Sequence, residues 1–188
     1  MTNAWMDIKE KQLILDCLNP DTIMLEWGSG GSTIEFSSLV KKYYSIEHNA
    51  EWYDNINKAL MQRPLNDVVY KFVRQNIENT DDRQSTYEMF KDYIDIVDQF
   101  NTKFDVVLID GWARRLCAKK VIPYLKDSSI IFVHDYILRE VYHCIEDYYE
   151  LIDSVSDTIQ TIGKFRLRDE FKDNAYDLTL GGFERLKG

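Results

Sequence analysis

The stretch Met24-Leu25-Glu26-Trp27-Gly28-Ser29-Gly30-Gly31-Ser32-Thr33 decides how the rest of the chain is read. The apolar run from Ile23 to Leu25 ends on an acid, and a glycine-rich turn then opens onto Ile34-Glu35-Phe36. An apolar run, a glycine turn and Ser/Thr ahead of an amphipathic segment predict a strand, a tight loop and a helix N-terminus. Glycines accept positive φ and let the backbone approach a ligand closely. The first turn of the helix presents free N–H groups. Together these features suit a nucleotide-like ligand.

Working outward, residues 5–18 set Trp5, Ile8, Leu13 and Leu15 among charges ahead of Asn19-Pro20, the pattern of an opening helix. After the Thr22–Glu26 strand, a helix is predicted from about Ser32 to Val40. Tyr43-Tyr44-Ser45-Ile46-Glu47 is a second strand that again ends on an acid. Residues 50–61 follow as a helix and Val68 to Val73 as a third strand. From Gln75 the chain is polar, and this part is expected to be its most flexible loop; Tyr87 to Phe100 has helical periodicity. Phe104-Asp105-Val106-Val107-Leu108-Ile109-Asp110 is a nearly unbroken apolar run, as expected of a strand buried on both faces of a parallel sheet. A helix is predicted from Ala113 to about Ile122 and a fifth strand over Ser128–Val133, leading into His134-Asp135. A helix over Leu138–Tyr149 comes next. Two strand-like runs, near Thr158–Arg166 and Tyr176–Leu180, have no clear helix between them.

Strands alternating with helices predict a Rossmann-like, doubly wound α/β fold. Its sheet is mostly parallel and seven-stranded, closed at one edge by a C-terminal antiparallel hairpin, and residues 1–188 form a single domain. Ligands of such sheets sit at the carboxyl ends of the strands. Glu26, Glu47, Asp110, His134 and Asp135 all fall there.

Composition narrows the function classes. With 45% hydrophobic and 29% charged residues the chain is expected to be an ordinary globular protein. A formal net charge of −9 argues against broad nucleic-acid binding, which needs a concentrated basic surface. No apolar run approaches the roughly 20 residues that span a bilayer, and Met1 to Lys11 lacks the pattern of a secretion signal. Cys17, Cys117 and Cys144 show neither metal-ligand spacing nor an even count, so they read as reduced thiols, mostly buried, in a cytoplasmic protein. The oligomeric state is not legible.

The ligand follows from the residues around the glycines. A nicotinamide dinucleotide site wants G-x-G-x-x-G; Gly28 and Gly30 fit, but Thr33 holds the third position. A P-loop is excluded because no Gly-Lys-Ser/Thr ends the turn. Glu26, two residues before the first glycine, repels a pyrophosphate and attracts a cation. Glu47, 19 residues after Gly28, is positioned to accept both hydroxyls of a ribose. A ligand with a ribose, an ammonium group and no phosphate meets these conditions, and S-adenosylmethionine is such a ligand. Taken singly, the glycines also satisfy a plain tight turn, and the two acids also read as solvated strand ends.

Over about residues 22–136 the chain resembles the class I S-adenosylmethionine-dependent methyltransferases. The resemblance implies that Glu26, Gly28, Ser29, Gly30 and Ser32 hold the amino-acid end of the cofactor. It further implies that Glu47 binds the ribose, and that His48, Asn76 and Asp110 border the adenosine. Leu108-Ile109-Asp110-Gly111-Trp112 and Phe132-Val133-His134-Asp135-Tyr136 look like two stations of the metal-dependent O-methyltransferases of the catechol type. By position, Asp110, His134 and Asp135 would be the catalytic residues and the ligands of a divalent cation, manganese or magnesium. Such an ion would lower the pKa of a substrate hydroxyl. The resemblance breaks at Ala113, where that group carries its catalytic lysine, so the base falls to His134, Asp135 or Asp110; His134 is favoured if no metal binds.

Trp112, Arg114, Arg115, Tyr136 and Arg139 are the candidate acceptor contacts. The acceptor is expected to be a small molecule or a carbohydrate, methylated on a hydroxyl. Two other readings stay open: an NAD(P)-dependent oxidoreductase on the same glycine loop, and a non-catalytic cofactor-binding partner subunit.

Overall fold

The computed structural model describes residues 6–62, 67–78, 80–156 and 161–172. The strands are β1 (Ile23–Trp27), β2 (Lys42–Glu47), β3 (Asp67–Phe72), β4 (Phe104–Ile109), β5 (Leu125–His134), β6 (Tyr149–Ser156) and β7 (Thr161–Leu167). The helices are α1 (Ile8–Leu15), α2 (Gly31–Phe36), α3 (Ala50–Leu60), α4 (Tyr87–Asp95), α5 (Arg114–Lys120) and α6 (Asp169–Lys172). One sheet takes all seven strands in the order β3-β2-β1-β4-β5-β7-β6. The first five are parallel, and β7 runs antiparallel to both β5 and β6.

The period-2 pattern of the central strands builds two apolar layers. Leu25, Trp27, Val107, Ile109, Ile131 and Val133 face the larger cluster under α4 and α5. Met24, Val106, Leu108 and Phe132 face the other, with Ile14, Phe36 and Val40. A strand buried on both faces has to be apolar at every position, which is why β4 carries almost no polar residue.

Three expectations change. The closing hairpin is present, but its first strand is β6 (Tyr149–Ser156), where no strand was expected. Its second strand, β7, matches the run near Thr158–Arg166. The run Tyr176–Leu180 lies outside the described residues. β6 is an edge strand on which only Tyr149 is buried, so it lacks the alternation that betrays a half-buried strand. In place of a helix over Leu138–Tyr149 there is a 3-10 segment, Glu140–Asp147.

The third change concerns the polar segment after β3, which is pinned down. Asp82, in the short 3-10 turn Asp82–Gln84, accepts the Ala113 N–H at 2.7 Å and the Tyr142 hydroxyl. Among the described residues no helix is long and apolar enough to cross a membrane. The three cysteines are free thiols: Cys117 is buried, Cys17 half-buried and Cys144 exposed, so burial does not hold for all of them.

Candidate active site

At the switch point between β1 and β4 the two strand-end loops touch through glycines. Gly28 has φ of +90°, and a Cβ there would stand 2.3 Å from the Gly111 nitrogen. A Cβ on Gly111 would meet the buried Tyr93 hydroxyl at 2.2 Å. The Asp110 and Gly111 N–H groups both donate to the Trp27 carbonyl, at 2.9 and 2.7 Å, so the β4 loop hangs from the end of β1. Beside this junction opens a cleft of ≈ 440 Å³, lined by Gly28, Ser29, Glu47, His48, Asn49, Glu51, Trp52, Asn55, Asp110, Gly111 and Trp112. A larger hollow, beside Leu15, Leu18 and Val40, lies away from the strand carboxyl ends and contains none of the candidate residues.

Glu47 is 3% exposed. Its Oε2 accepts the Ser29 N–H at 2.9 Å and the Ser29 hydroxyl at 3.0 Å; its Oε1 accepts the His48 and Asn49 N–H groups at 2.9 and 2.8 Å. A carboxylate has about four lone-pair sites, so a ribose diol must displace one of these donors. The Ser29 hydroxyl is the one free to leave, because the Tyr70 hydroxyl lies 2.7 Å away as a second partner. His48 packs at 5.3 Å from Trp112 and 5.5 Å from Tyr93, forming an aromatic wall on which a flat ring can stack.

Glu26 has a different place from the one expected of it. It is fully buried and outside the cleft lining. The Ser32, Thr33 and Ser45 hydroxyls donate to it, the last at 2.8 Å. Burial pushes its pKa up to about 7, against the lowering effect of those hydroxyls. The carboxyl ties the end of β1 to α2 and β2. Thr33, at the third position of the glycine motif, makes that link and also accepts the Gly30 N–H at 2.9 Å. Six residues long, α2 is also too short for a strong macrodipole.

The second cluster sits at the ends of β4 and β5. His134 Nδ1 lies 3.0 Å from Asp110 Oδ1 and 3.6 Å from Asp135 Oδ1, and its Nε2 lies 3.7 Å from the fully buried Glu10 of α1. Burial works against charge on the imidazole, but the bonds to Asp110 and Glu10 and the charges of Asp110 and Asp135 outweigh it and push its pKa up to about 10. That direction favours the protonated ring and weakens His134 as a general base. Arg114 Nη1 donates to Asp135 Oδ2 at 2.9 Å, and Arg139 Nη2 approaches the same oxygen at 2.8 Å. Asp135 (φ +59°) and Ala113 (φ +56°) both take left-handed backbone without being glycine, a strain found most often at functional sites.

A divalent ion does not fit this donor set. Asp110 and Asp135 are already engaged by the Arg114 guanidinium and the His134 ring, and among the described residues no group of three or more His, Cys, Asp or Glu is arranged to hold a metal ion.

Compared with known proteins, the chain matches no family model and no curated protein sequence. Solved structures do match. A methyltransferase-like protein from Silicibacter pomeroyi superposes with a TM-score of 0.68 at 21% identity, over 93% of this chain and 95% of that one. The N-methyltransferase NodS from Bradyrhizobium japonicum, in complex with S-adenosyl-L-homocysteine, gives 0.58 at 12%, over 89% of each chain. An rRNA methylase from Streptococcus thermophilus gives 0.60 at 7%, over 85% and 94%. The fold is that of the class I S-adenosylmethionine-dependent methyltransferases.

On this methyltransferase fold the predicted site residues separate into groups. Gly28, Ser29, Glu47, His48 and Asp110 line one cleft, joined by Trp112, which had been grouped with the acceptor contacts. Asn76 is turned away, both ends of its amide bonded to Asp92 on α4. Arg115 is directed at the Ser85 carbonyl, and Tyr136 is buried with its hydroxyl on Glu146, so neither faces the rim. Arg114 is buried, whereas Arg139 is 37% exposed and borders a second pocket of ≈ 560 Å³ with Asp82, Leu138 and Glu140.

Sequence reasoning missed Trp52, Asn49, Asp82 and Glu10. Asn49 and Trp52 had a visible signal, an N-cap residue and the first turn of the helix after Glu47. Asp82 and Glu10 had none, because they reach the rim only through tertiary packing.

Proposed function

We propose that the chain is an S-adenosylmethionine-dependent methyltransferase that methylates a hydroxyl oxygen of a small molecule or of a carbohydrate, without a divalent metal and without nucleic acid as acceptor. The observation that carries the reading is the convergence of Glu47, the Gly28 loop and Asp110 on one cleft at the carboxyl ends of β1, β2 and β4. These residues fit the cofactor: Glu47 holds the ribose hydroxyls once the Ser29 hydroxyl turns to Tyr70, and His48 and Trp112 flank the adenine. When bound, the cofactor supplies an electrophilic methyl carbon on a sulfonium.

The chain's own residues do the rest. The acceptor enters by the pocket between residues 80–83 and 138–141, where Arg139 and Asp82 offer donors and acceptors beside the apolar Leu138. Asp135 borders this pocket through Arg139 and takes the hydroxyl proton as the oxygen attacks the methyl carbon. Positioning and deprotonation are most of what such an in-line displacement needs. The net charge of −9 supports a neutral or cationic acceptor over a polyanion.

Methyl transfer from radiolabelled cofactor to a panel of sugars, phenols and amines tests the proposal. Asp135→Ala is expected to leave S-adenosylhomocysteine affinity intact and to lower turnover by about a hundredfold or more. Normal turnover in that variant would remove Asp135 from the mechanism, and label on amines alone would replace the oxygen acceptor.

A further inference from the structure

Asp110, His134 and Asp135 bring two carboxylates and an imidazole to one rim, a set that in other surroundings suits a divalent cation. Here the protein brings a cation of its own. The Arg114 side chain is 8% exposed and spans the two acids. Its Nη1 donates to Asp135 Oδ2 at 2.9 Å and to the Tyr142 hydroxyl at 3.3 Å, and its Nη2 donates to the Asp110 carbonyl at 2.9 Å while lying 3.5 Å from Asp110 Oδ1. We propose that Arg114 is the resident cation of this rim: it closes the Asp110–His134–Asp135 set to divalent ions and holds both carboxylates in position.

Three features support the assignment. The backbone is committed to it, because the left-handed Ala113 starts α5 so that its first residue points into the cluster, and the left-handed Asp135 turns its carboxylate back toward that residue. The Ala113 conformation is itself secured by its N–H bond to Asp82.

The chemistry is suited to permanence. A guanidinium does not lose its proton in proteins, and its planar fork presents its donors in a fixed geometry, so less side-chain freedom is lost per bond than with an ammonium. Fixed cations already meet the surrounding acids: Arg114 pairs with Asp110 and Asp135, and Arg139 with Asp82 and Asp135. A dication bound to Asp110 and Asp135 would stand against the like charge of the buried Arg114 guanidinium. Replacing the guanidinium by an apolar side chain removes the one cation that both partly buried carboxylates share, the condition that attracts a metal.

The test reads ion binding, so its outcome is separate from whether the chain transfers methyl groups. Mn²⁺ is titrated into the full chain and followed by calorimetry and by paramagnetic broadening of the His134 ring signals. The wild-type chain is expected to show no saturable binding in the micromolar range. Arg114→Met is expected to bind Mn²⁺ about tenfold tighter or better, and to lose that binding again when combined with Asp135→Asn.

Saturable micromolar binding to the wild-type rim, with His134 broadening, would overturn the proposal. So would an Arg114→Met variant with a native circular dichroism spectrum and no gain in Mn²⁺ affinity. If Arg114→Met does not fold, folding restored by Mn²⁺ or by Arg114→Lys supports the need for a cation at this position, and failure of both overturns it.

Discussion

Glu26 carries the clearest consequence of a single residue's surroundings. It is sealed among the Ser32, Thr33 and Ser45 hydroxyls, and burial raises its pKa from 4.5 to about 7. Ionisation is therefore harder in the folded chain than in the unfolded one, and the contribution of this residue to stability falls as pH rises from about 4.5 through about 7. A shift of this size corresponds to something on the order of 3 kcal/mol. Glu26→Gln is expected to be more stable than wild type at about pH 8 and to lose that advantage near pH 4. Urea denaturation at the two pH values checks this; equal destabilisation at both would mean that the charge is not what matters. The acid itself was legible in the sequence, but its role was not. Which way its side chain turns depends on Ser45, 19 positions away on a neighbouring strand.

At the scale of elements, the loops after β1 and β4 meet at two glycines, and the contact sets how closely the strands can end together. Gly111→Ala drives a Cβ toward the Tyr93 hydroxyl and the Gly28 backbone, an overpacking expected to cost roughly 2 kcal/mol or more. The Tyr93 hydroxyl is buried and has no hydrogen-bond partner among the described residues, so Tyr93→Phe alone should be neutral or slightly stabilising. Combined with Gly111→Ala it should recover part of the loss, because one of the two obstructions is gone. Thermal melts of the two single variants and the double variant decide it; strict additivity would mean that the hydroxyl is not the obstruction. The sequence marked Gly28 as needing freedom, but it contained no sign that the freedom was for Gly111. The tail behaves similarly: β6 is a strand because β7 offers it a partner, while its own pattern is exposed at nearly every position.

For the molecule as a whole, the expectation is a chain whose stability responds to its cofactor. A ligand that binds only the folded state stabilises it by mass action, by about 3 kcal/mol at roughly a hundred times its Kd, and so raises the melting temperature. S-adenosylhomocysteine is expected to produce such a shift and NADH none. Glu47→Ala should weaken the S-adenosylhomocysteine response by about tenfold or more in affinity, since a charge-assisted pair of hydrogen bonds is lost. A shift with NADH alone would favour the oxidoreductase reading of the glycine loop. Binding of S-adenosylhomocysteine without turnover on any acceptor would favour the non-catalytic partner subunit.

The first five strands, the parallel sheet they form and the glycine turn between Glu26 and Glu47 were determined by the sequence itself. Hydrophobic periodicity and turn residues are local signals, and each of these elements is set by its own few residues. The tertiary structure decided what the residues at the rim do. It buried Glu26, turned Asn76, Arg115 and Tyr136 away, and brought Glu10 and Asp82 from distant segments to His134 and Ala113. It also set His134 and Arg114 between the carboxylates. Charge, burial and hydrogen-bond supply are properties of a neighbourhood, and a neighbourhood assembled across β4, β5, α1 and residues 80–83 exists only once the chain has folded.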